Sequence, residues 1–246
     1  MRVVASIEAR MGSSRLPGKV LADIGGHSAL DRLVARLRAC TLLDDIVVAT
    51  SLGSADEVIA DWARRAGVML HRGSEEDVLR RVSDAHIMMR SDIVVEITGD
   101  CPLLDPAIVD FAIKTFFDND CDVVTTAHRP SFPQGTDVQV FRADALKNVA
   151  DTISDPAVRE HVSLHFYETP EQYRVIYLSA PARYQAPDLR LQLDYPEDLE
   201  LIRCIYAELE PRFGPLFDTL DILALLKDRP DLQIINAHCQ EKAARA

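Results

Sequence analysis

Short apolar runs alternate with amphipathic stretches over roughly the first two-thirds of the chain, and this alternation restricts the fold more than any other feature. The runs are rich in Val and Ile and apolar on both faces, which is typical of parallel strands buried in a sheet: Val3–Ile7, Ile46–Thr50, Val68–His71, Ile93–Thr98 and Asp122–Thr126. Between them, apolar residues recur at helical spacing in Ala29–Cys40, Ala55–Ala66, Glu75–Arg90 and Pro106–Phe117. The pattern predicts a three-layer α/β/α sandwich around a mixed, mostly parallel sheet with right-handed crossovers.

After Ser131 the regular alternation of strand and helix patterns ends. Strands are predicted over Thr136–Phe141, Arg174–Leu178 and Leu189–Leu193. Helices are predicted near Arg142–Ala150, Pro156–Glu168, Pro196–Leu209 and Thr219–Leu226. The chain contains no repeat, low-complexity tract or linker, so we expect one domain over residues 1–246 with an inserted or appended portion near 130–190.

Composition and charge narrow the classes of function. The net charge of −12 disfavours nonspecific binding to nucleic acid or to an anionic membrane. No apolar segment is long enough to span a bilayer, which favours a cytoplasmic protein. The five cysteines are odd in number and form no CxxC pair, so both a disulfide framework and a zinc site are disfavoured.

A cation-rich loop follows the first predicted strand, at residues 8–19. Ligands of open α/β sheets bind beyond the carboxyl ends of the strands, which is where this loop lies. Its donors are the backbone at Gly12, the hydroxyls of Ser13 and Ser14, and three cations that can surround a polyphosphate: Arg10, Arg15 and Lys19. A solvated basic turn is the simpler alternative, but in so acidic a chain the cluster favours an anionic ligand.

The loop differs from the two standard phosphate motifs. The dinucleotide fingerprint GxGxxG is absent. The P-loop pattern fails twice, because five residues rather than four separate Gly12 from Gly18, and because Val20 stands where a hydroxyl residue is required. The sequence therefore predicts a phosphate-binding loop of another class.

Two aspartates follow predicted strands. Asp100 comes after Ile93–Thr98 and a glycine, and Asp194 follows Leu189–Leu193 just before a helix. Each has a simpler interpretation, as a turn residue for Asp100 and as a helix cap for Asp194. Together they suit Mg²⁺, which prefers one or two carboxylates plus phosphate oxygens and water.

Several segments resemble the cytidylyltransferases that activate sugar acids, including the octulosonate and acylneuraminate enzymes and the branch serving spore coat polysaccharide biosynthesis. The matching segments run in family order: IEARMGSSRLPGKVLADIGG from Ile7, HRGSEEDVL from His71, TGDCPL from Thr98, GTDVQVF from Gly135, REHV from Arg159 and DYPEDLE from Asp194. The resemblance implies a nucleotide-diphosphosugar transferase-like (Rossmann-like) fold and transfer of CMP from CTP to a sugar acid, with release of pyrophosphate for surface polysaccharide biosynthesis.

The resemblance also implies roles for particular residues. Asp100 and Asp194 would hold Mg²⁺, and Arg10, Arg15 and Lys19 would bind the triphosphate. Loop residues that would assist are Ala9, Met11, Gly12, Ser13 and Ser14. Arg72 would contact the nucleotide, unless it is a solvated surface residue.

The acceptor is expected near residues 130–165. Its polar candidates are Gln134, Asp137, Gln139, Arg159 and His161, of which Arg159 is the preferred donor to an acceptor carboxylate. His161 has a purely structural alternative. The resemblance further implies a homodimer, in which the portion near 130–190 could contribute an interface. The apolar stretch Leu220–Leu226 could contribute either to a core or to an interface.

Departures from the family pattern keep other functions open. Glu8 stands where Gln or Pro is usual, and Tyr195 replaces a common Thr, so the acceptor could instead be a phosphonate, a phosphate or another hydroxy acid. A glycosyltransferase would use a DxD motif, for which the chain offers Asp118–Asp120 and Asp120–Asp122. A noncatalytic nucleotide-binding protein is the alternative from another class.

Overall fold

A seven-stranded sheet runs through the centre of the molecule in the order β5-β4-β1-β6-β8-β7-β9. The computed structural model describes residues 1–240. Its strands are β1 (Val3–Glu8), β2 (Asp23–Ile24), β3 (His27–Ser28), β4 (Asp45–Ser51), β5 (Met69–Gly73), β6 (Ile93–Thr98), β7 (Val123–Thr125), β8 (Gln139–Arg142) and β9 (Val175–Tyr177). Within the sheet only β8 runs against its neighbours, and β2 pairs with β3 in a separate hairpin. The predicted mixed, mostly parallel sheet is confirmed.

Helices cover the sheet and follow its strands along the chain. They are α1 (Ala29–Arg38), α2 (Glu57–Ala66), α3 (Val78–Met89), α4 (Pro106–Asp118), α5 (Ala143–Thr152), α6 (Pro156–Glu160), α7 (Leu164–Glu168), α8 (Pro196–Phe213), α9 (Thr219–Asp228) and α10 (Pro230–Ile234). Local sequence sets several starts, since Ser28 and Asp31 form a capping box on α1 and Asp105 caps α4.

The two faces of the sheet explain the continuous apolar runs. In β1, Val3, Ala5 and Ile7 point into one hydrophobic cluster with α1, α2 and α4, whereas Val4 points into a second cluster with α3 and α5. Because successive side chains of a strand alternate between faces, a strand covered on both sides must be apolar at every position. The predicted three-layer α/β/α arrangement is confirmed.

A third hydrophobic cluster joins α8, α9 and α10 to Ile24 of β2, to Leu103 and to the segment 191–193. Ile222, Leu225 and Leu226 of α9 are buried there against Tyr206 and Phe217. The apolar stretch Leu220–Leu226 therefore contributes to the core of this chain.

Two predicted elements after Ser131 were wrong. Leu189–Leu193 forms only an isolated parallel bridge between Arg190 and Gln134 instead of a strand. The predicted helix Pro156–Glu168 is divided into α6 and α7, because His161 takes an extended conformation at φ −115° and ψ 98°. Both differences follow from tertiary contacts, and they bring Gln192 and His161 to the same cleft.

The structure also bears on membrane spans and disulfides. None of the helices within residues 1–240 has the length and apolar character needed to cross a bilayer. All five cysteines are free thiols, and Cys40, Cys101 and Cys121 are buried.

Candidate active site

Parallel pairing of β1 with β6 places the two predicted ligand loops side by side. Glu8 is aligned with Thr98, so both strands end at the same edge of the sheet. The N–H of Gly99 donates to the carbonyl oxygen of Glu8 at 2.8 Å, and a Cβ at Gly99 would lie 2.6 Å from that oxygen. Glycine is therefore required for the close approach of the two loops.

A cavity of about 370 Å³ opens at this edge of the sheet. Its charged and imidazole lining residues are Glu8, Arg10, Arg15, Lys19, Arg81, Asp100, Glu160, His161 and Asp194. We refer to it as the first cavity. The structure thus brings together the three loop cations and both predicted aspartates.

Lys19 lies between the two aspartates. Its Nζ is 2.7 Å from Oδ2 of Asp100 and 2.5 Å from Oδ1 of Asp194. Arg15 contacts the other oxygen of Asp194 at 2.6 Å. Lys19, Asp100 and Asp194 are well shielded from solvent and Arg15 is less so, which means that the three shielded charges interact more strongly than they would at a surface.

Backbone and side-chain hydrogen bonds fix the positions of the two carboxylates. The N–H of Leu193 donates to the carbonyl oxygen of Asp100 at 2.8 Å, which ties the segment before Asp194 to the loop after β6. Thr98 Oγ1 donates to Asp100 at 2.6 Å, and Gln192 Nε2 donates to it at 3.2 Å. Behind this pair, the buried Asp198 accepts from the N–H of Asp194 at 2.9 Å, which supports the start of α8.

The charge cluster shifts the acidity of its members. Burial by itself raises the pKa of Asp100, but the Lys19 ammonium and the hydrogen bonds from Thr98 and Gln192 outweigh it, and the pKa is lowered. Burial likewise lowers the pKa of Lys19, but the carboxylates of Asp100 and Asp194 outweigh it, and the pKa is raised. Both groups are therefore held in their charged forms at neutral pH.

The donor set of this cluster fits a hard divalent cation. One carboxylate oxygen of Asp100 and one of Asp194 contact the same ammonium, so a small cation replacing Lys19 would meet two anionic oxygens. Oxygen ligands of this kind, with room for phosphate and water in the adjoining cavity, suit Mg²⁺ or Mn²⁺.

The remaining loop residues are placed unequally. Ala9, Ser13 and Ser14 line the first cavity. Met11 and Gly12 are absent from its lining, and Met11 instead organises the loop: its N–H donates to Asp56 and its carbonyl accepts from the N–H of Gly18.

Arg72 and Arg159 do not line the first cavity, and both are bonded to protein groups elsewhere. Arg72 donates to the carbonyls of Ser51 and Gly53 and pairs with Glu57 at 2.5 Å. Arg159 donates to the carbonyl oxygen of Ala150 at 2.6 Å and forms an ion pair with Asp77. Neighbouring protein groups already occupy both guanidinium groups, which a sequence motif cannot reveal.

A second cavity of about 540 Å³ adjoins the first. It contains four of the predicted acceptor residues: Gln134, Asp137, Gln139 and His161. Five residues line both cavities and form the boundary between them: Glu8, Thr98, Glu160, His161 and Gln192. An acceptor in the second cavity would therefore lie next to a nucleotide in the first.

Comparison with known proteins decides the class of this site. The sequence profile of the cytidylyltransferases matches residues 4–213. The chain belongs to the cytidylyltransferase family. It is therefore a nucleotidyltransferase, and the expected family is confirmed.

Relatives match this cytidylyltransferase over most of its length. The spore coat polysaccharide biosynthesis protein SpsF of Bacillus subtilis is 34% identical over 230 residues, which cover 92% of this chain and 94% of that protein. The 3-deoxy-manno-octulosonate cytidylyltransferase of Chlorobium chlorochromatii is 27% identical over 227 residues, covering 92% and 85%. A solved cytidylyltransferase structure from Leptospira borgpetersenii gives a TM-score of 0.89 at 27% identity, covering 99% of this chain and 100% of that one.

Arg81 belongs to the cytidylyltransferase cleft, although no sequence motif indicated it. Arg81 is buried on α3, lines the first cavity and donates to the carbonyl oxygen of Ser74, while its Nε has no hydrogen-bond partner. Burial lowers the pKa of Arg81, against the opposing effect of Glu8. The one available signal was a cation on the helix face that was predicted to be apolar.

The DxD segments take no part in the cleft. Asp120 and Asp122 both form ion pairs with Arg174, and neither they nor Asp118 line either cavity. The glycosyltransferase interpretation therefore has no support from the geometry.

Proposed function

We propose that this cytidylyltransferase uses Mg²⁺ to transfer CMP from CTP to a hydroxyl group of a small sugar-type acceptor, with release of pyrophosphate. The observation that carries the proposal is the convergence of Lys19, Asp100 and Asp194 where β1 and β6 end, with Arg10 and Arg15 beside them. Such a site binds a polyphosphate and a divalent cation together.

The reaction requires positioning and neutralisation of charge more than covalent help from the protein. Lys19 and Arg15 leave the carboxylates and bind triphosphate oxygens when the nucleotide enters, and Arg10, 45% exposed, binds from the rim. Asp100 and Asp194 would hold Mg²⁺, which would supply neutralisation of the charge on the phosphates. His161 and Gln192, on the boundary of the two cavities, orient the attacking hydroxyl toward the α-phosphorus.

Two lines of reasoning bear on the acceptor. The sequence resemblance and the name of the Chlorobium relative favour a sugar acid. Against this, no Lys or Arg within residues 1–240 lines the second cavity, which leaves an acceptor carboxylate without a cation there. The name of the Bacillus relative supports a place in surface polysaccharide biosynthesis.

The test is pyrophosphate release from each of the four nucleoside triphosphates, with Mg²⁺ and a panel of sugar acids, neutral sugars and amino sugars. We expect release that is selective for CTP, requires the metal and is lost in Asp100→Asn. Asp118→Asn is the matched control, since that exposed carboxylate pairs with Lys114 on α4 and lines neither cavity. Absence of CTP binding to the folded protein would refute the proposal.

The predicted cytoplasmic homodimer remains part of this proposal. Light scattering of the purified protein across a concentration series, with and without CTP, tests the dimer. A monomer both with and without CTP would refute the predicted homodimer.

A further inference from the structure

A group of side chains that can bind a metal ion lies at the start of α8, outside the cleft. It consists of Glu197, His238 and Cys239, which line neither cavity. A carboxylate oxygen, an imidazole nitrogen and the thiol sulfur of these residues lie within 4.8 Å of one another. We refer to the three residues as the 197–238–239 cluster. Because Glu197 is distant from the other two along the chain, the lack of a CxxC pair does not bear on this cluster.

Hydrogen bonds hold the segment after α10, which carries two of these ligands, against the start of α8. The buried Asn236 donates from Nδ2 to Oδ1 of Asp198 at 2.8 Å and to the carbonyl oxygen of Arg190 at 3.1 Å. The N–H of Cys239 donates to the carbonyl oxygen of Asn236 at 2.9 Å. The backbone that carries His238 and Cys239 is therefore already ordered, so binding of an ion costs little conformational entropy.

The distances in the cluster suit a single tetrahedral ion. Nε2 of His238 lies 3.5 Å from Oε1 of Glu197. A hydrogen bond between such atoms is usually about 2.7–3.2 Å long. Two ligands of a tetrahedral zinc ion, each about 2.0–2.2 Å from the metal, lie about 3.4 Å apart. The side chains of His238 and Glu197 are 68% and 38% exposed, so an ion can enter from solvent and small rotations can bring the ligands onto it.

The charges around the cluster favour a divalent cation with a thiolate ligand. Burial and the carboxylates of Asp198 and Glu197 raise the pKa of the Cys239 thiol, which is therefore neutral without an ion. The Arg190 guanidinium acts in the opposite direction, and its buried Nη1 has no hydrogen-bond partner. A divalent cation would balance the charges of one carboxylate and one thiolate, and the thiol proton would pass to solvent.

We propose that the 197–238–239 cluster binds one Zn²⁺ ion, which fastens the segment after α10 to the start of α8. The carboxylate, the imidazole and the thiolate are all ligands that zinc takes, and water completes the tetrahedron. A thiolate and an imidazole select such an ion over Mg²⁺, which prefers oxygen ligands, so this site differs chemically from Asp100 and Asp194. Its role is structural, because α8 begins just after Asp194 and the ion stabilises that helix start.

Co²⁺ and Zn²⁺ are the probes, added to the whole protein after its thiols are reduced and bound ions are removed with a chelator. Co²⁺ that is bound by a thiolate shows charge-transfer absorption in the near ultraviolet, which carboxylate ligands do not give. We expect one equivalent of Co²⁺ to produce this absorption and Zn²⁺ to displace it. Competition with a chromophoric chelator should give a Kd for Zn²⁺ below about 1 µM.

Variants that remove one ligand identify the residues involved. Cys239→Ser should abolish the charge-transfer absorption, and both Cys239→Ser and His238→Gln should weaken Zn²⁺ binding at least about tenfold. Cys204→Ser is the matched control, because Cys204 is a partly exposed thiol of α8 outside the cluster, and it should retain the absorption and the affinity. Thermal unfolding without metal shows that each variant is folded.

Hydrogen exchange tests the structural role of the ion. Zn²⁺ should slow amide exchange over residues 236–240 in the wild type and in Cys204→Ser, because the ion joins this segment to α8. The same addition should have no such effect in Cys239→Ser. Equal exchange with and without Zn²⁺ in the wild type would overturn the structural role.

Other outcomes separate this site from the proposed function. Absence of the charge-transfer absorption in the wild type, or its survival in Cys239→Ser, overturns the zinc site. Unchanged Zn²⁺ affinity in both His238→Gln and Cys239→Ser also overturns it. Asp100→Asn should keep the absorption while losing CMP transfer, so failure of the proposed function leaves the zinc site standing. Loss of the absorption in folded Asp100→Asn would place the ion in the cleft and overturn the inference.

Discussion

Lys19 Nζ lies 2.5 Å from Oδ1 of Asp194, although 175 positions of sequence separate the two residues. The same ammonium contacts Asp100, so without ligand the cleft carries an internal cation between its two carboxylates. This arrangement compensates the charges of two buried anions. The cluster is therefore both a stabilising element and a candidate binding site.

Replacing Lys19 by Met tests this dual role. The substitution leaves Asp100 and Asp194 with less compensation, and we expect the free energy of unfolding to fall by about 3 kcal/mol. Mg²⁺ should restore more stability to Lys19→Met than it adds to the wild type, since it can occupy the place of the ammonium. Urea unfolding with and without Mg²⁺ measures both effects.

Lys114→Met is the control for that experiment. Lys114 pairs with Asp118 on the exposed surface of α4, so its loss should cost under about 0.5 kcal/mol and be insensitive to Mg²⁺. Equal responses of the two variants to Mg²⁺ would contradict a metal site at the aspartates.

Gly135→Ala should destabilise the segment that positions Gln192. A Cβ at Gly135 would lie 2.5 Å from the backbone nitrogen of Gln192, and the residue has φ +85°. We expect a loss of at least about 3 kcal/mol in the free energy of unfolding, together with loss of activity. Gly67→Ala is the matched control: φ is +62° but no atom lies within 4 Å, so only the backbone cost of about 1–2 kcal/mol applies. Equal losses in the two variants would contradict the proposed steric cause.

Glu96→Gln should stabilise the protein increasingly as pH rises above 4.5. Burial and the neighbouring Glu8 carboxyl raise the pKa of Glu96 well above its ordinary value of 4.5, and burial also raises the pKa of Glu8. Above 4.5 the unfolded chain releases these protons while the folded chain retains them, so the pair lowers the free energy of unfolding as pH rises toward the folded-state pKa values. Glutamine removes one of the two groups that cause this penalty.

The measurement is urea unfolding at a series of pH values for wild type, Glu96→Gln and the surface control Glu200→Gln. Only Glu96→Gln should show a difference from wild type that grows with pH. A pH-independent difference would mean that the two carboxyl groups are not protonated in the fold.

Arg159→Gln should affect stability and leave acceptor binding unchanged. Its guanidinium donates to the carbonyl of Ala150 and pairs with Asp77, so we expect a loss of about 2 kcal/mol in the free energy of unfolding. The KM for the acceptor should change by less than about twofold. The exposed Arg80→Gln provides the control, with a loss under about 1 kcal/mol. A large rise in acceptor KM at unchanged stability would return Arg159 to the site.

Local sequence patterns predicted most of the helices and strands, because the formation of these elements depends mainly on residues that are close together in the sequence. The continuous Val and Ile runs gave β1, β4, β5, β6 and β7 to within a few residues, since a strand buried on both faces has few alternatives. Where pairing was nonlocal, local patterns misled: the apolar run Leu189–Leu193 remained almost unpaired, because its backbone bonds to Gln134 and Asp100 instead of to a strand.

The sequence by itself determined which chemical groups stand after β1 and β6, because parallel strands deliver their carboxyl ends to one edge. Only the tertiary structure decided which of those groups can act. It placed Lys19 between the aspartates, engaged Arg72 and Arg159 with other protein groups, and placed Glu8 beside the buried Glu96. Partners and solvent exposure depend on residues distant along the chain, and these determine charge, hydrogen bonding and access to a ligand.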